Sequence, residues 1–345
     1  MLKYKYYIFA EMWLLRKILF PVSLVYGLVV YLRNRLYDWG IFPSKSYDTP
    51  IICVGNLSTG GTGKTPMVEL LIALMQDQYK VAILSRGYQR NSKGFVLASA
   101  ESTVADLGDE PFQIHSKFNK IQVAVDEDRR NGIAFLEKNI KPDVIILDDA
   151  FQHRKVKPGF SILLTAFDNL YSSDWYLPTG NLRDSLREAK RADIIVVTKN
   201  PIETSEADRL KIEHKLGSKP NQNTLFSYLE YDKNLQGIGL LKSMNDLKGK
   251  KITLVTGIAN PKPLLYFLEE NGISFEHLSY KDHHNFSAKE LEIINSKPNV
   301  LTTEKDYMRL KDEVSCNFVA IKHVFFGEGL SDLKSDLKGF MNQYS

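Results

Sequence analysis

Short apolar runs alternate with stretches of helical periodicity along most of the chain after Pro43. The runs are IICVGN (51–56), VAILSRGY (81–88), IQVAV (121–125), DVIILDD (143–149), FSILLT (160–165) and DIIVVTK (193–199). Between the first two, apolar residues in 66–78 recur at helical spacing after a proline, as at the start of a helix. Fully apolar strands that alternate with helices are typical of a parallel sheet buried on both faces. The pattern predicts an α/β fold with a doubly wound parallel sheet.

A more polar stretch begins near Pro201, and the alternation resumes after it. FSYLEY (226–231) is followed by ITLVTG (252–257), a helical pattern over 262–271, ISFEHLSY (273–280), NVLTTEKD (299–306) and FVAIKH (318–323). These elements predict a second, smaller α/β domain. We therefore expect an N-terminal helix in residues 1–38, a main domain over 39–222, and a smaller domain over 223–345 that closes over the active site.

An apolar run from Ile18 to Leu32 lies near the N-terminus between basic residues. The charged residues around it are Lys3, Lys5, Arg16, Lys17, Arg33 and Arg35, against Glu11 and Asp38. As a helix the run would cover roughly 22 Å, which is less than the ~30 Å hydrocarbon core of a bilayer. No small-residue cleavage site follows it, as a signal peptide would require. A helix docked in the membrane interface fits the basic and aromatic flanks, and a core helix, a true span and a signal sequence are the alternatives.

Composition and charge exclude several classes of protein. Of the 345 residues, 43% are hydrophobic and 25% are charged, which is typical of folded domains. The net charge of +4 is small for a protein that binds nucleic acid in bulk. Cys53 and Cys316 lie far apart and form no metal-binding or disulfide pattern, which favours a reducing compartment.

A glycine-rich loop follows the first predicted strand directly, in the sequence NLSTGGTGKTP. Glycines allow backbone N–H groups to approach phosphate oxygens, Lys64 can reach the β- and γ-phosphates, and Thr65 can bind Mg²⁺. Strand, glycine loop and helix form the context of a nucleoside triphosphate site, although Ser58 replaces the first glycine of the strict pattern. A simple linking turn is the alternative. The predicted nucleotide contacts in the loop are Ser58, Thr59, Gly60, Gly61, Thr62, Gly63, Lys64 and Thr65.

Two acidic residues, Asp148 and Asp149, end the apolar run of residues 143–149. The carboxyl ends of parallel strands face the ligand, and a P-loop requires an acidic group on a nearby strand to hold its magnesium ion. Both aspartates are therefore candidate metal ligands. Capping of the next segment is the alternative.

Further polar motifs occur outside these elements. Together with the glycine loop, SRGYQR (85–90), GDEP (108–111), DDAFQH (148–153), LPTGNLRD (177–184), DHH (282–284) and TEKD (303–306) resemble, in this order, the tetraacyldisaccharide 4′-kinase family. The resemblance extends from the basic N-terminal helix to TEKD. That family phosphorylates the lipid A precursor at the inner membrane. The P-loop NTPase type of fold, with a second α/β domain and a membrane-docking helix, is consistent with it.

The resemblance implies an ATP- and Mg²⁺-dependent kinase of lipopolysaccharide biosynthesis. Its acceptor would be the 4′-hydroxyl of a tetraacylated disaccharide 1-phosphate, and its product the 1,4′-bisphosphate. The expected location is the cytoplasmic face of the inner membrane, with the protein peripheral or monotopic through its N-terminal helix. The expected partners are the glycolipid and the membrane surface, without nucleic acid; no obligate protein partner is evident.

The resemblance also assigns roles to particular residues. Asp109 would be the catalytic base, paired with His283, while His284 is the alternative histidine. The predicted catalytic set is Asp109, His283, Lys64 and Asp149. Substrate contacts are predicted for Glu110, Arg129, Arg183 and Asp184, nucleotide contacts also for Arg86 and Tyr88, and metal contacts for Thr65, Asp148, Asp149 and Glu110. For Arg129 and Arg183, salt bridges on the surface are the alternative.

Some positions depart from the family pattern. Asp184 stands where the family usually has glutamate, and Ala150 and Phe151 stand where DDGxQH is usual, so the backbone at residue 150 has to accept a side chain. For TEKD, a strand-to-helix cap is as good an explanation as a functional contact.

Two other functions fit parts of the sequence. A membrane-associated nucleotide switch would also use a GGTGKT loop, but such loops typically carry lysine where this chain has Thr59. A soluble kinase of a small metabolite would not need the apolar, aromatic N-terminus.

Overall fold

The computed structural model describes residues 16–344. The α-helices, in chain order, are α1 (Phe20–Asp38), α2 (Lys64–Met75), α3 (Val104–Leu107), α4 (Asp109–Lys117), α5 (Arg129–Phe135), α6 (Glu206–Leu216), α7 (Lys262–Glu270), α8 (Ala288–Asn295), α9 (Glu304–Leu310) and α10 (Gly329–Met341). The strands are β1 (Ile51–Asn56), β2 (Val81–Ser85), β3 (Val96–Leu97), β4 (Gln122–Val125), β5 (Val144–Asp148), β6 (Phe160–Ala166), β7 (Ile194–Thr198), β8 (Asn223–Tyr231), β9 (Gln236–Gly237), β10 (Ile252–Thr256), β11 (Phe275–Ser279), β12 (Val300–Thr303), β13 (Cys316–Val319) and β14 (Ile321–Phe325).

The chain forms two compact units that are built from interleaved segments. Among the described residues, unit 1 contains 16–86, 126–229 and 323–344, whereas unit 2 contains 87–125 and 230–322. The chain passes between the units near residues 86, 125, 229 and 322. The predicted boundary at 222–223 lies near one of these points. The other three crossing points were not predicted, because strands and helices have the same hydrophobic periodicity whichever unit they belong to.

Unit 1 contains the predicted parallel sheet, with seven of its strands in the order β14-β8-β7-β6-β1-β5-β2. Strand β1 is parallel to β5 on one side and to β6 on the other. The pairs β2–β5, β6–β7 and β7–β8 are parallel as well. The strand order reverses at β1, and such a reversal opens a ligand crevice at the carboxyl ends of the strands. Every residue of β1 and β5 is buried, as expected for central strands.

Helix α1 belongs to unit 1 and carries its apolar residues on the exposed side. Its buried positions are Ser23, Gly27, Val30 and Asn34, which recur at helical spacing. Its exposed positions include Val22, Leu24, Val25, Leu28, Val29 and Leu32, each 49–63% exposed. A core helix would bury these residues, so that alternative is excluded. Within residues 16–344, no helix combines the length and the apolar character that a membrane crossing requires.

Unit 2 contains the second α/β assembly. Its five-stranded sheet has the order β11-β10-β12-β13-β9, in which the pairs β10–β11, β10–β12 and β12–β13 are parallel and β9–β13 is antiparallel. Strands β3 and β4 form a short antiparallel pair. The run FVAIKH, predicted as one strand, is divided between β13 and β14, and the chain returns to unit 1 within β14. Continuous apolar character therefore did not reveal the break at Ala320.

Candidate active site

The glycine loop lies between β1 and α2, as predicted. Helix α2 begins at Lys64, so Lys64 and Thr65 occupy its first turn. Gly63 caps the helix with a left-handed φ of 83°. A Cβ atom at Gly63 would lie 3.1 Å from the imidazole of His323. The conformation and the close approach both require glycine at this position.

Neighbouring segments hold the backbone of the loop. Asn56 Nδ2 donates to Thr62 Oγ1 at 2.9 Å, and Thr198 Oγ1 donates to the Thr62 carbonyl at 2.9 Å. The backbone N–H of Thr59 donates to the Asn181 carbonyl at 2.7 Å. The loop is therefore preorganised by residues from β1, β7 and the LPTGNLRD segment.

His323, on β14, supports the end of the loop. Its Nε2 lies 3.0 Å from the Gly63 carbonyl and its Nδ1 lies 2.9 Å from Ser227 Oγ. Because a carbonyl only accepts hydrogen bonds, Nε2 carries the proton and Nδ1 accepts from the serine hydroxyl. Burial lowers the pKa of His323 to about 4, the hydrogen bond to Gly63 acts to raise it, and the charge of Lys199 acts to lower it. The imidazole is therefore neutral at pH 7.

Asp149, directly after β5, contacts the cationic residues of the site. Lys64 Nζ lies 3.8 Å from Asp149 Oδ1. Arg183 donates through Nη1 to Asp149 Oδ2 at 3.2 Å, and its Nη2 contacts Asp149 Oδ1 and Asn56 Oδ1. Partial burial acts to raise the pKa of Asp149, but the charges of Lys64 and Arg183 outweigh it, so the pKa is lowered. Three of the predicted residues thus meet beside the loop.

The backbone of Asp149 adopts a left-handed φ of 48°. A non-glycine residue in this region costs about 1–3 kcal/mol and is most often found at functional sites. The positive φ falls on Asp149 and not on Ala150, where the family has glycine, so Ala150 is accommodated without strain of this kind.

Asp148 and Arg129 lie buried near the same strand end. Asp148 Oδ2 accepts a hydrogen bond from Ser85 Oγ at 3.0 Å. Arg129 donates to the carbonyls of Asp126 at 3.0 Å and of Asp148 at 3.4 Å. Burial lowers the pKa of Arg129, while Asp148 and Asp149 act to raise it. Arg129 is therefore a buried cation beside the acidic pair and not a surface residue; Arg86, after β2, is exposed.

The donor set fits a magnesium ion that is bound together with phosphate. Among residues 16–344, no group of three or more His, Cys, Asp or Glu side chains could hold a metal. Two adjacent carboxylates and the Thr65 hydroxyl are hard oxygen donors of the kind that Mg²⁺ prefers when phosphates and water complete its shell. Glu110, predicted as a further ligand, belongs to unit 2.

Asp184 has a different environment from the one predicted. Its exposed fraction is 0%, and its Oδ1 accepts hydrogen bonds from Asn34 Nδ2 at 2.7 Å and from the Ser185 backbone N–H at 2.8 Å. A carboxylate with no accessible surface does not contact a substrate in this conformation. Through its hydrogen bond with Asn34, Asp184 instead connects α1 to the segment that carries Arg183.

A second cluster of predicted residues lies in unit 2, around Asp109. Asp109 begins α4 and is only 4% exposed. Gly108, which precedes it, has a φ of 86°, and a Cβ there would lie 2.7 Å from the Tyr88 carbonyl. GDEP therefore requires glycine for the sharp turn that presents the aspartate.

Arg309 and His283 bind the carboxylate of Asp109. Arg309 donates through Nε to Oδ1 at 2.9 Å, and its Nη2 contacts Oδ2. His283 Nδ1 contacts the same Oδ2. His283 has a left-handed φ of 57°, and its ring packs against Tyr88 with centroids 5.7 Å apart. The predicted Asp109–His283 pair is present, and Tyr88 accompanies it.

The TEKD segment combines a helix cap with contacts to this cluster. Thr303 Oγ1 accepts from the Asp306 backbone N–H at 3.2 Å, which caps α9. Lys305 Nζ lies 3.1 Å from His283 Nε2 and 3.6 Å from a carboxylate oxygen of Glu110. The helix-cap explanation of TEKD is therefore confirmed, and the functional contact stays a prediction that the position of Lys305 beside His283 and Glu110 supports. His284 instead contacts Glu290 at 3.1 Å, away from Asp109.

A cleft of about 740 Å³ in unit 2 adjoins the cluster. Asp109, His283 and Arg309 lie in its wall, together with Tyr88 and Phe286. The cleft offers polar and aromatic side chains to a ligand beside the buried carboxylate.

Several residues of these sites were not predicted from the sequence. They are Asn56, Thr198, Lys199, Arg309 and His323. Lys199, whose ammonium would lie 3.8 Å from a Cβ on Gly61, directly follows β7, so the rule that strand ends face the ligand could have identified it. Arg309 and His323 have no such local signal, because their partners are 200 and 260 residues away.

The chain is similar to proteins of one family over most of its length. The sequence model of the LpxK family, described as tetraacyldisaccharide-1-P 4′-kinase, matches residues 15–337. A tetraacyldisaccharide 4′-kinase of Flavobacterium johnsoniae is 52% identical over 87% of this chain and 88% of the relative. One of Bacteroides thetaiotaomicron is 45% identical over 86% of this chain and 83% of the relative.

A solved structure gives the same result. The crystal structure of LpxK from Aquifex aeolicus in complex with ATP is 31% identical, covers 95% of this chain and 99% of its own, and superposes with a TM-score of 0.79. With a parallel sheet that carries a P-loop, and with matches over nearly its whole length, the chain belongs to the tetraacyldisaccharide-1-P 4′-kinase family.

Proposed function

We propose that this chain transfers the γ-phosphoryl group of ATP to the 4′-hydroxyl of a tetraacylated disaccharide 1-phosphate, giving the 1,4′-bisphosphate lipid A precursor. The observation that carries the proposal is the charged group at the P-loop, where Asp149 contacts both Lys64 and Arg183. These cations lie beside a preorganised loop of backbone amides, which is an arrangement suited to a triphosphate.

Unit 1 supplies the groups that bind the nucleotide. Backbone amides of residues 58–65 and the Lys64 ammonium would contact its phosphates, and Arg183 would add a bidentate contact. Thr65, Asp148 and Asp149 would hold Mg²⁺, which neutralises phosphate charge when it is bound. Because phosphoryl transfer proceeds through a loose transition state, positioning and charge neutralisation are the main contributions that the protein makes.

Asp109 is the proposed base for the acceptor. The 4′-oxygen forms a bond to the γ-phosphorus, the bond from that phosphorus to the β–γ bridging oxygen breaks, and the hydroxyl proton passes to the Asp109–His283 pair. Arg309 fixes both oxygens of the carboxylate. A weak base that is fixed in orientation suffices, since proton removal is not the main barrier in such reactions.

Helix α1 is the proposed membrane contact, at the cytoplasmic face of the inner membrane. Its outward side carries the apolar residues, and its inward side carries Ser23 and Asn34. An exposed apolar helix face of this kind favours the bilayer interface, where the acyl chains of the acceptor are also located. The membrane surface and the glycolipid are therefore the proposed partners.

A labelled transfer assay tests the proposal. Full-length protein in detergent micelles receives γ-labelled ATP, Mg²⁺ and the tetraacylated disaccharide 1-phosphate, and we expect the label in the lipid fraction. Asp109→Asn should reduce turnover by about 10²–10⁴-fold while MgATP binding is retained. Glu269→Gln, an exposed carboxylate on α7, serves as the matched control and should retain full activity.

Other outcomes would reject parts of the proposal. Release of labelled phosphate without any labelled lipid would indicate a nucleotide-hydrolysing switch. Full transfer by Asp109→Asn would exclude Asp109 as the base while leaving the kinase activity in place.

A further inference from the structure

The buried side of α1 holds the segment that carries Arg183. Asn34 is 3% exposed, and its Nδ2 donates to the fully buried Asp184 at 2.7 Å. About two helical turns earlier in α1, the Tyr26 hydroxyl donates to the backbone carbonyl of Arg183 at 3.0 Å. Helix α1 therefore holds two consecutive residues, Arg183 and Asp184. The guanidinium of Arg183 in turn binds Asp149.

A second chain of contacts connects α1 to the same place. Arg33 Nη2 donates to the Gln152 carbonyl at 2.6 Å, and Gln152 Nε2 donates to the Asn56 carbonyl at 2.7 Å. Asn56 in turn binds Thr62 of the glycine loop and Arg183. The first route ends at Arg183 and the second at the glycine loop, so α1 is connected to the nucleotide site by two separate routes.

We infer that α1 is a structural part of the nucleotide site, in which Asn34 acts through Asp184 as a positioning residue for Arg183. The inference rests on the proposed function in one respect, namely that Arg183 contacts the nucleotide. Asp184 Oδ2 has no hydrogen-bond partner among the described residues, so the Asn34 amide is one of two donors that stabilise this buried carboxylate. Without that donor, the carboxylate would be displaced toward other donors, and Arg183 would move with it.

Exchange of the two side chains tests this role. Asn34→Asp places two carboxylates at hydrogen-bond distance in a buried site, and we expect the Kd for MgATP to rise by at least about tenfold. The double variant Asn34→Asp with Asp184→Asn restores a donor and an acceptor in reversed order. We expect it to recover the wild-type Kd to within about threefold. Binding is measured on the full chain in detergent micelles with a fluorescent ATP analogue, without acceptor lipid.

The matched control is Ser23→Ala. Ser23 is buried on the same face of α1 and bonds at 2.8 Å to Thr179, which lies four residues before Arg183 in the same segment, so this contact involves neither Arg183 nor Asp184 directly. A purely structural role of α1 would affect thermal stability in both variants. A positioning role weakens nucleotide binding in Asn34→Asp alone and raises the KM for ATP more than it lowers kcat.

Each result decides the question. Wild-type affinity in a folded Asn34→Asp variant overturns the inference and leaves the proposed function intact. If Asn34→Asp does not fold, Tyr26→Phe removes the other contact without adding charge, and we expect weakening by about threefold to tenfold; an unchanged Kd there overturns the inference. Failure of the wild-type protein to bind MgATP would overturn the proposed function itself.

Discussion

At the residue scale, the carboxylate of Asp109 in unit 2 is held at both of its oxygens. Arg309 contacts both of its oxygens, and His283 shares one of them. The guanidinium adds a positive charge and a fixed orientation in the same contact, because its donors match a carboxylate in a planar fork. Lysine cannot reproduce this geometry.

We therefore predict that Arg309→Lys lowers kcat by roughly 10–100-fold, because the base loses its fixed orientation while the charge is kept. The Kd for MgATP should not change. Steady-state kinetics and nucleotide binding measure the two effects separately. Arg209→Lys, whose guanidinium packs over Phe326 at 4.8 Å in unit 1, is the matched control. Wild-type turnover in Arg309→Lys would contradict the proposed role.

We expect the buried imidazole of His323 to make the stability of the protein depend on pH. Burial lowers its pKa from 6.5 to about 4, so the native state stays neutral between these values while the unfolded state takes up a proton. Stability attributable to this group is therefore complete at pH 7 and is lost as the pH falls from 6.5 toward 4. Between pH 7 and pH 5 this loss is roughly 2 kcal/mol for one histidine.

Replacement of His323 should remove this part of the pH dependence. His323→Gln keeps an amide donor for the Gly63 carbonyl, and its free energy of unfolding should fall by roughly 2 kcal/mol less between pH 7 and pH 5 than that of the wild type. Urea unfolding at the two pH values measures the difference. His153, whose pKa burial also lowers to about 4, accounts for a remaining slope in the variant. An identical slope in both proteins would show that His323 takes up its proton in the native state.

At the element scale, α1 has an arrangement of residues that is the reverse of an ordinary surface helix. Because α1 packs through its inward residues Ser23, Gly27, Val30 and Asn34, its outward apolar stripe stays exposed and forms the proposed bilayer contact. The sequence identified the apolar run and its basic flanks. It did not identify which side faces inward, because both sides of the run are largely apolar. Only the structure shows that the side of Gly27 packs against Tyr176.

Polar substitution on the outward stripe should reduce membrane binding without affecting the nucleotide. The test is the triple variant Val25→Ser, Leu28→Ser and Val29→Ser. Each apolar side chain contributes about 1.5–3 kcal/mol to the free energy of membrane binding if lipid buries it fully. Partition of the variant into vesicles should therefore fall at least tenfold, which corresponds to roughly 1.4 kcal/mol or more. Vesicle flotation measures partition, and Kd for MgATP should stay constant. Leu240→Ser, at a leucine that is 91% exposed in unit 2, is the control. Unchanged flotation of the triple variant would reject α1 as the membrane contact.

At the scale of the whole molecule, the chain alternates between two units. Apart from FVAIKH, which is divided between β13 and β14, the predicted strands are present with ends that differ by a few residues, because each is encoded by its own apolar run. Their assignment to units was only partly predicted. Strand β4 has the composition of the neighbouring parallel strands, yet it pairs antiparallel with β3 in unit 2.

The sequence by itself determined the P-loop and the α/β class, since a strand, a glycine loop and a helix follow each other within a few residues and their conformations depend on local chemistry. The motif order also identified the family. Only the tertiary structure decided that Arg309 holds Asp109, that His323 supports Gly63 and that Asn34 binds Asp184, across 200, 260 and 150 residues. Such contacts depend on how distant segments close upon each other, and no local periodicity encodes that closure.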